Sequence, residues 1–207
     1  MKTNILPRAL FAIALFALTG AAQAQTTLDF EALPNPNNGI TNSQGSFVSE
    51  NGFTVADMPT GNGLRSVAPD GGFGLNYTGS VALFNFAEGG ITTLTQNSGG
   101  PFNLNRIDLA NYLVQALIAG GDTVNFTGHV RGGGTVTQSF TLAASDALQT
   151  FAFNASFTNL TSVTFVQDDI GNQFDNIVVT PVPAPSSLAV FTGLAGIGGL
   201  ALRRRRN

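Results

Sequence analysis

The stretch Thr123–Leu142, TVNFTGHVRGGGTVTQSFTL, decides the fold. In its first half Val124, Phe126, Gly128 and Val130 fall on one side of an extended chain, and Asn125, Thr127 and His129 on the other. That alternation is the pattern of a strand with one buried and one wet face. Gly132–Gly134 then turn the chain, so that Val136, Gln138 and Phe140 return antiparallel. The pair predicts a β-hairpin whose phenylalanines face a core.

The same pattern spreads outward in both directions from Gln25 to Thr180. Short alternating runs are punctuated by Gly, Asn, Asp and Pro. The strands predicted are Thr27–Glu31, Gly52–Ala56, Ser80–Phe86, Ile91–Thr95, Arg106–Ala110, Thr123–Val130, Thr135–Leu142, Leu148–Phe153, Ser162–Gln167 and Phe174–Thr180. So many short strands in about 155 residues predict an all-β, antiparallel β-sandwich. Tyr112–Ala119 is apolar without a clear period and stays open between a helical turn and a strand. The 17 phenylalanines build the core, and the clusters at Gly71–Gly72, Gly89–Gly90 and Gly99–Gly100 are turns. They lack the lysine and the strand-to-helix setting of a phosphate-cradling loop.

The two ends read as addresses. MKTNILPR, the apolar run Ala9–Leu18 and then TGAAQAQ follow the order of a secretory signal peptide over residues 1–24. Ala22 and Ala24 supply the small side chains that signal peptidase requires, which places cleavage after Ala24. At the other end residues 181–187 form a stiff Pro/Ser stalk. Residues 188–202 then form a single transmembrane helix about 22 Å long, against a hydrocarbon core of roughly 30 Å. Residues 203–207, with Arg203, Arg204, Arg205 and Arg206, stay cytoplasmic by the positive-inside rule. Both ends therefore place residues 25–180 outside the inner membrane, with the Sec translocon and signal peptidase as partners.

Composition excludes several functions. There is no cysteine, hence no disulfide, thiolate metal site or thiol nucleophile. Between the ends three arginines face all twelve acidic residues, a formal charge of −9 and the wrong sign for nucleic acid. The single histidine, His129, lies on the wet face of its strand, and no GxSxG elbow accompanies it, so no catalytic residue is assigned. Four Asn-x-Ser/Thr matches, at Asn76, Asn125, Asn154 and Asn159, read as strand composition. An ice-binding surface needs a flat, regular threonine array, and Thr92, Thr93 and Thr95, or Thr135 and Thr137, are too short to show one.

The order Val182, Pro183, Ala184, Pro185, a short polar step, a glycine-rich apolar helix and a terminal arginine cluster resembles the PEP-CTERM sorting signal. That signal is also catalogued as an ice-binding-protein C-terminal domain. The resemblance covers Val182–Asn207 and implies an exopolysaccharide-producing Gram-negative bacterium. It also implies an exosortase that processes the chain near the motif and delivers it to the cell surface or extracellular matrix. Ala184 stands where the motif usually has glutamate, which gives simple membrane anchoring more weight. LDFEAL at Leu28–Leu33 and FDNIVV at Phe174–Val179 resemble the first and last strands of jelly-roll modules. This second resemblance implies a structural calcium ion held by Glu31 and Asp175, with Asp29 a weaker third. A further oxygen-rich cluster, Asp168, Asp169 and Asn172, reads equally as a polar turn.

The function expected is that of a non-catalytic structural or adhesive protein of the cell surface or biofilm matrix. The alternative is a carbohydrate-binding module, with Tyr77 and Tyr112 as the only aromatics with polar tips. The third reading is a polysaccharide hydrolase.

Overall fold

The computed structural model describes residues 24–183 apart from 38, 59–62, 71, 73, 88, 115–121 and 167–170. Residues 1–23 of the signal peptide, Ala22 among them, the apolar span, Arg203–Arg206, Ala184, Pro185, Asp168 and Asp169 thus lie outside the described residues, as does most of Tyr112–Ala119. Among the described residues there is no helix, and none long and apolar enough to cross a membrane. The strands are β1 (Thr26–Leu28), β2 (Thr41–Gly45), β3 (Phe47–Glu50), β4 (Phe53–Met58), β5 (Leu64–Val67), β6 (Leu83–Asn85), β7 (Ile91–Gln96), β8 (Phe102–Asn111), β9 (Thr123–Val130), β10 (Thr135–Thr141), β11 (Gln149–Ala152), β12 (Leu160–Val166) and β13 (Asn172–Pro181).

Every pairing is antiparallel, and the hydrogen-bonded path divides at its thinnest joint, where Leu160 alone pairs with Phe102. On one side β2-β5-β6-β13-β8-β11 form sheet one, with β1 beside β6 along the same edge of β13. On the other side β3-β4-β7-β12-β9-β10 form sheet two. Rings meet across the gap between the sheets: Phe53 on Phe102 at 5.3 Å and Phe165 on Phe174 at 5.1 Å, both edge to face. Such pairs add about 0.5–1.5 kcal/mol beyond the area they bury. The all-β sandwich is therefore the observed architecture.

The hairpin stands as the alternation predicts. Thr135 pairs with His129 and Thr141 with Thr123, and Gly132, Gly133 and Gly134 all take positive φ, which side chains resist. Val124 and Phe126 are buried while Asn125 and His129 face solvent. Gly128 sits where a Cβ would meet Leu160 and Val136 at 3.0 Å, so its missing side chain lets β9 pack closely.

Three strands lie outside the ten predicted. β2 reads TNSQG, β3 FVSE and β5 LRSV, too polar or too short to show a period of two. Conversely, Ser80–Phe86 pairs only over Leu83–Asn85, because Ser80 and the backbone of Val81 turn aside to bond Glu31.

Candidate functional site

β1 stops at Leu28 because the next turn is pinned from outside. The Asp29 and Phe30 amides donate to the Glu50 carboxylate at 3.3 and 2.9 Å, and Phe30 takes a left-handed φ of 56°. Its ring packs on Phe174 at 6.0 Å. Burial raises the Glu50 carboxyl above its ordinary range, against the lowering effect of those amide bonds. With Phe30 held inward, the next residue, Glu31, turns out over the edge of sheet one.

Asp175 meets it there. On β13 Phe174 faces the core and Asp175 the opposite side, yet its side chain is fully buried. A bulge follows between Asp175 and Val178, with Asn176 in the left-handed region that asparagine tolerates. There the Asn176 amide donates to Asp175 Oδ1 at 2.7 Å, and its side chain to Asp108 Oδ2 at 3.0 Å. Asp108 is the register partner of Asp175 on β8, and its Oδ1 is buried without a partner. Ser80 Oγ closes the site, 2.6 Å from Glu31 Oε1 and 2.5 Å from Asp175 Oδ2. The Val81 amide also donates to Glu31 Oε1, at 3.1 Å.

This geometry has one proton too few. A serine hydroxyl donates once, so only one of its two short contacts with carboxylates is its own hydrogen bond. The other requires a carboxyl proton or a cation among the oxygens. Burial pushes the Asp175 carboxyl up from 3.8 to about 7, with Glu31 and Asp108 adding to the rise and the Ser80 and Asn176 bonds opposing it. An oxygen set of this kind fits calcium, a hard cation with flexible coordination. Among the described residues no three acidic or histidine side chains cage a metal. Glu31 and Asp175 would therefore hold the ion with the Ser80 hydroxyl and solvent.

Sequence reasoning named Glu31 and Asp175, and the structure brings them together. It missed Ser80, Asp108 and Glu50, which carry no motif. Asp29 stands apart, exposed, its Oδ1 accepting from the Glu31 amide at 3.3 Å. Asn172 lies inward rather than in a solvated turn. It is fully buried opposite Asn111, with Asn172 Oδ1 and Nδ2 and Asn111 Oδ1 all unpartnered. Tyr112 is half-buried against Phe84 at 4.4 Å, and its phenol is raised by burial and lowered by nearby Arg65. Arg65 lies over the ring of Phe86 at 3.7 Å. Of the sorting motif, Val182 and Pro183 are described. The Val182 amide donates to the Pro101 carbonyl at 2.8 Å, and both residues line a groove of about 410 Å³ with Arg131.

The outer face of sheet two adds what the threonine runs are too short to show. Strand register sets Phe47, Ala56, Thr93, Thr164, Thr127 and Thr137 in one row across six strands. A second row holds Ser49, Thr54, Thr95, Ser162, His129 and Thr135. Runs too short along the chain thus join into an array across it. Thr92 is the exception, buried on the inner side.

No protein-family model matches the chain, and no curated protein matches it. Among solved structures it is similar to a carbohydrate-binding module of family 29, at 16% identity over 77% of this chain and 88% of that one, with a TM-score of 0.37. A variant of such a module complexed with mannohexaose matches at 15% identity, 77% and 92% coverage and TM-score 0.37. Another, complexed with cellulohexaose, matches at 14%, 78% and 93%, with TM-score 0.37. These overlaps are too loose to carry residues or ligands across to this chain.

Proposed function

We propose that this chain is an exported, non-catalytic β-sandwich that acts at the cell surface or in the extracellular polysaccharide matrix. Sec and signal peptidase deliver it, residues 188–202 anchor it in the inner membrane, and an exosortase recognises Val182–Pro185. The observation that carries the reading is the pairing of β1 with β13, Thr26 with Val179. It brings both ends of the sandwich out on the same side, one beside the predicted cleavage point and the other leading straight into the stalk. Among the described residues the core cluster runs from Leu28 to Val179. Glu31 and Asp175 hold a structural calcium ion that ties the entry turn to the last strand.

A carbohydrate-binding role is the second reading, favoured by the uncharged hydroxyl rows on sheet two. The absence of cysteine makes the topology directly testable. Thr137→Cys in the full chain should react with a membrane-impermeant maleimide in intact spheroplasts, and Asn207→Cys only after lysis. Labelling of Thr137→Cys only after lysis would overturn the proposal.

A further inference from the structure

We infer that the outer face of sheet two is a docking surface for neutral polysaccharide, a step that rests on the carbohydrate-binding reading and names its ligand class. The face is built by force of packing. Val48, Val55, Leu94, Val163, Phe165 and Phe126 are buried on the inner side, so alternation drives their neighbours outward. At a strand spacing of about 4.8 Å the six strands make a surface roughly 24 Å wide, with rows about 6.8 Å apart along the strands.

Threonine suits strands in general, and that alone would account for scattered threonines. It does not account for the missing charges. Solvent faces of sheets ordinarily mix Lys, Arg, Glu and Asp, and edge strands use them to discourage stacking. Here neither row holds an acidic or basic side chain other than His129, although the region between the termini carries a formal −9. The acids have been kept elsewhere, as at Glu31, Asp108 and Asp175.

Charge and shape select the occupant. An acidic polymer finds no cation in these rows. A protein partner finds no continuous apolar core, since Phe47 lies at one edge, 64% exposed, and the Ile91–Val166 pair, 36% and 44% exposed, lies apart from it, one register step beyond the first row. A neutral glycan matches on both counts. Threonine and serine hydroxyls exchange hydrogen bonds with sugar hydroxyls, threonine methyls meet the C–H faces, and the Phe47 ring offers a stacking platform at one end of a row. Sheet twist, roughly 20–25° per strand, bends the face. A flexible polysaccharide follows such a curve along a row, whereas a rigid crystal plane such as ice touches only part of it.

The test uses the full chain in a detergent without sugar head groups, with affinity electrophoresis through soluble glucan, mannan or polygalacturonate. Retardation by glucan or mannan and none by polygalacturonate is expected. The double variant Thr127→Glu/Thr164→Glu should lose at least tenfold in affinity while still unfolding cooperatively, at a somewhat lower melting temperature because the two carboxylates stand directly opposite. Thr93→Lys/Thr95→Lys should lose as much, which guards against a folding defect in either pair. Phe86→Ala, on the outer side of sheet one, should bind as the parent does. Parent-like binding by both charged pairs, loss in Phe86→Ala alone, or retardation by polygalacturonate alone would overturn the docking surface and leave carbohydrate binding standing. Binding to none of the three glycans, or adsorption to ice without glycan binding, would overturn both. The export reading is judged separately by cysteine labelling.

Discussion

Replacing Asp175 by Asn removes a buried carboxyl that the fold holds against its own charge. Its folded value of about 7 lies some three units above the ordinary 3.8. At 1.36 kcal/mol per unit the ionised form costs up to about 4 kcal/mol in the absence of a cation. The sign follows from proton binding. Between the two values the folded state keeps the proton that the unfolded chain has lost, so stability is fully present below about pH 4 and falls as pH rises through about 7. Asparagine copies the protonated acid: its Oδ1 accepts from the Asn176 amide, and its Nδ2 donates toward Ser80 and Glu31. In chelator at pH 8, Asp175→Asn should therefore melt higher than the parent. At roughly 2–4 °C per kcal/mol for a domain of this size, the gain is as much as about 8–16 °C. At pH 4 the two should melt together. Glu50, also raised by burial, leaves the variant a shallower slope of the same sign. Thermal unfolding of both proteins from pH 4 to pH 8 in chelator is the assay. A parent melt that is flat with pH, or a variant that melts lower at pH 8, would refute the reasoning.

Calcium at pH 8 should raise the melting temperature of the parent, by about 2.7 kcal/mol at one hundred times its dissociation constant, and chelator should reverse the gain. Glu31→Gln should abolish most of that response, and an equal response in the variant would remove Glu31 from the site. Gly128→Val drives methyls into Leu160 and Val136, whose atoms already stand 3.0 Å from an ideal Cβ. It should cost about 1–3 kcal/mol in denaturant titration, and a neutral result would mean that β9 and β12 can part freely. Phe126→Ala deletes a buried ring within 5.7 Å of Phe140, Phe153 and Phe165, and should cost about 3–5 kcal/mol.

What the sequence discloses depends on distance along the chain. The hairpin β9–β10 was legible because its buried face, its turn and its return lie within twenty consecutive residues. Glu31 and Asp175 were legible only through the resemblance of their two flanking motifs, since 144 positions separate them. Ser80 and Asp108 had no such marker. Ser80 arrives because the chain joins β6 only at Leu83, and Asp108 because β8 pairs with β13, and neither event leaves a local pattern. The threonine rows show the same limit from the other side. Alternation correctly placed Thr127 and His129 on a wet face, but one strand cannot disclose what its neighbours in the sheet display. β2, with no apolar alternation, was invisible because pairing to β5 and the side-chain bonds of Asn42 and Gln44 hold it.

The account stands or falls on export of the sandwich, and the mass of the native protein tests that most directly. Intact mass spectrometry of the chain recovered from the envelope or matrix fraction of its own cells should show a mature N-terminus at Gln25. A chain recovered from the cytosol with Met1 to Ala24 still attached would contradict it.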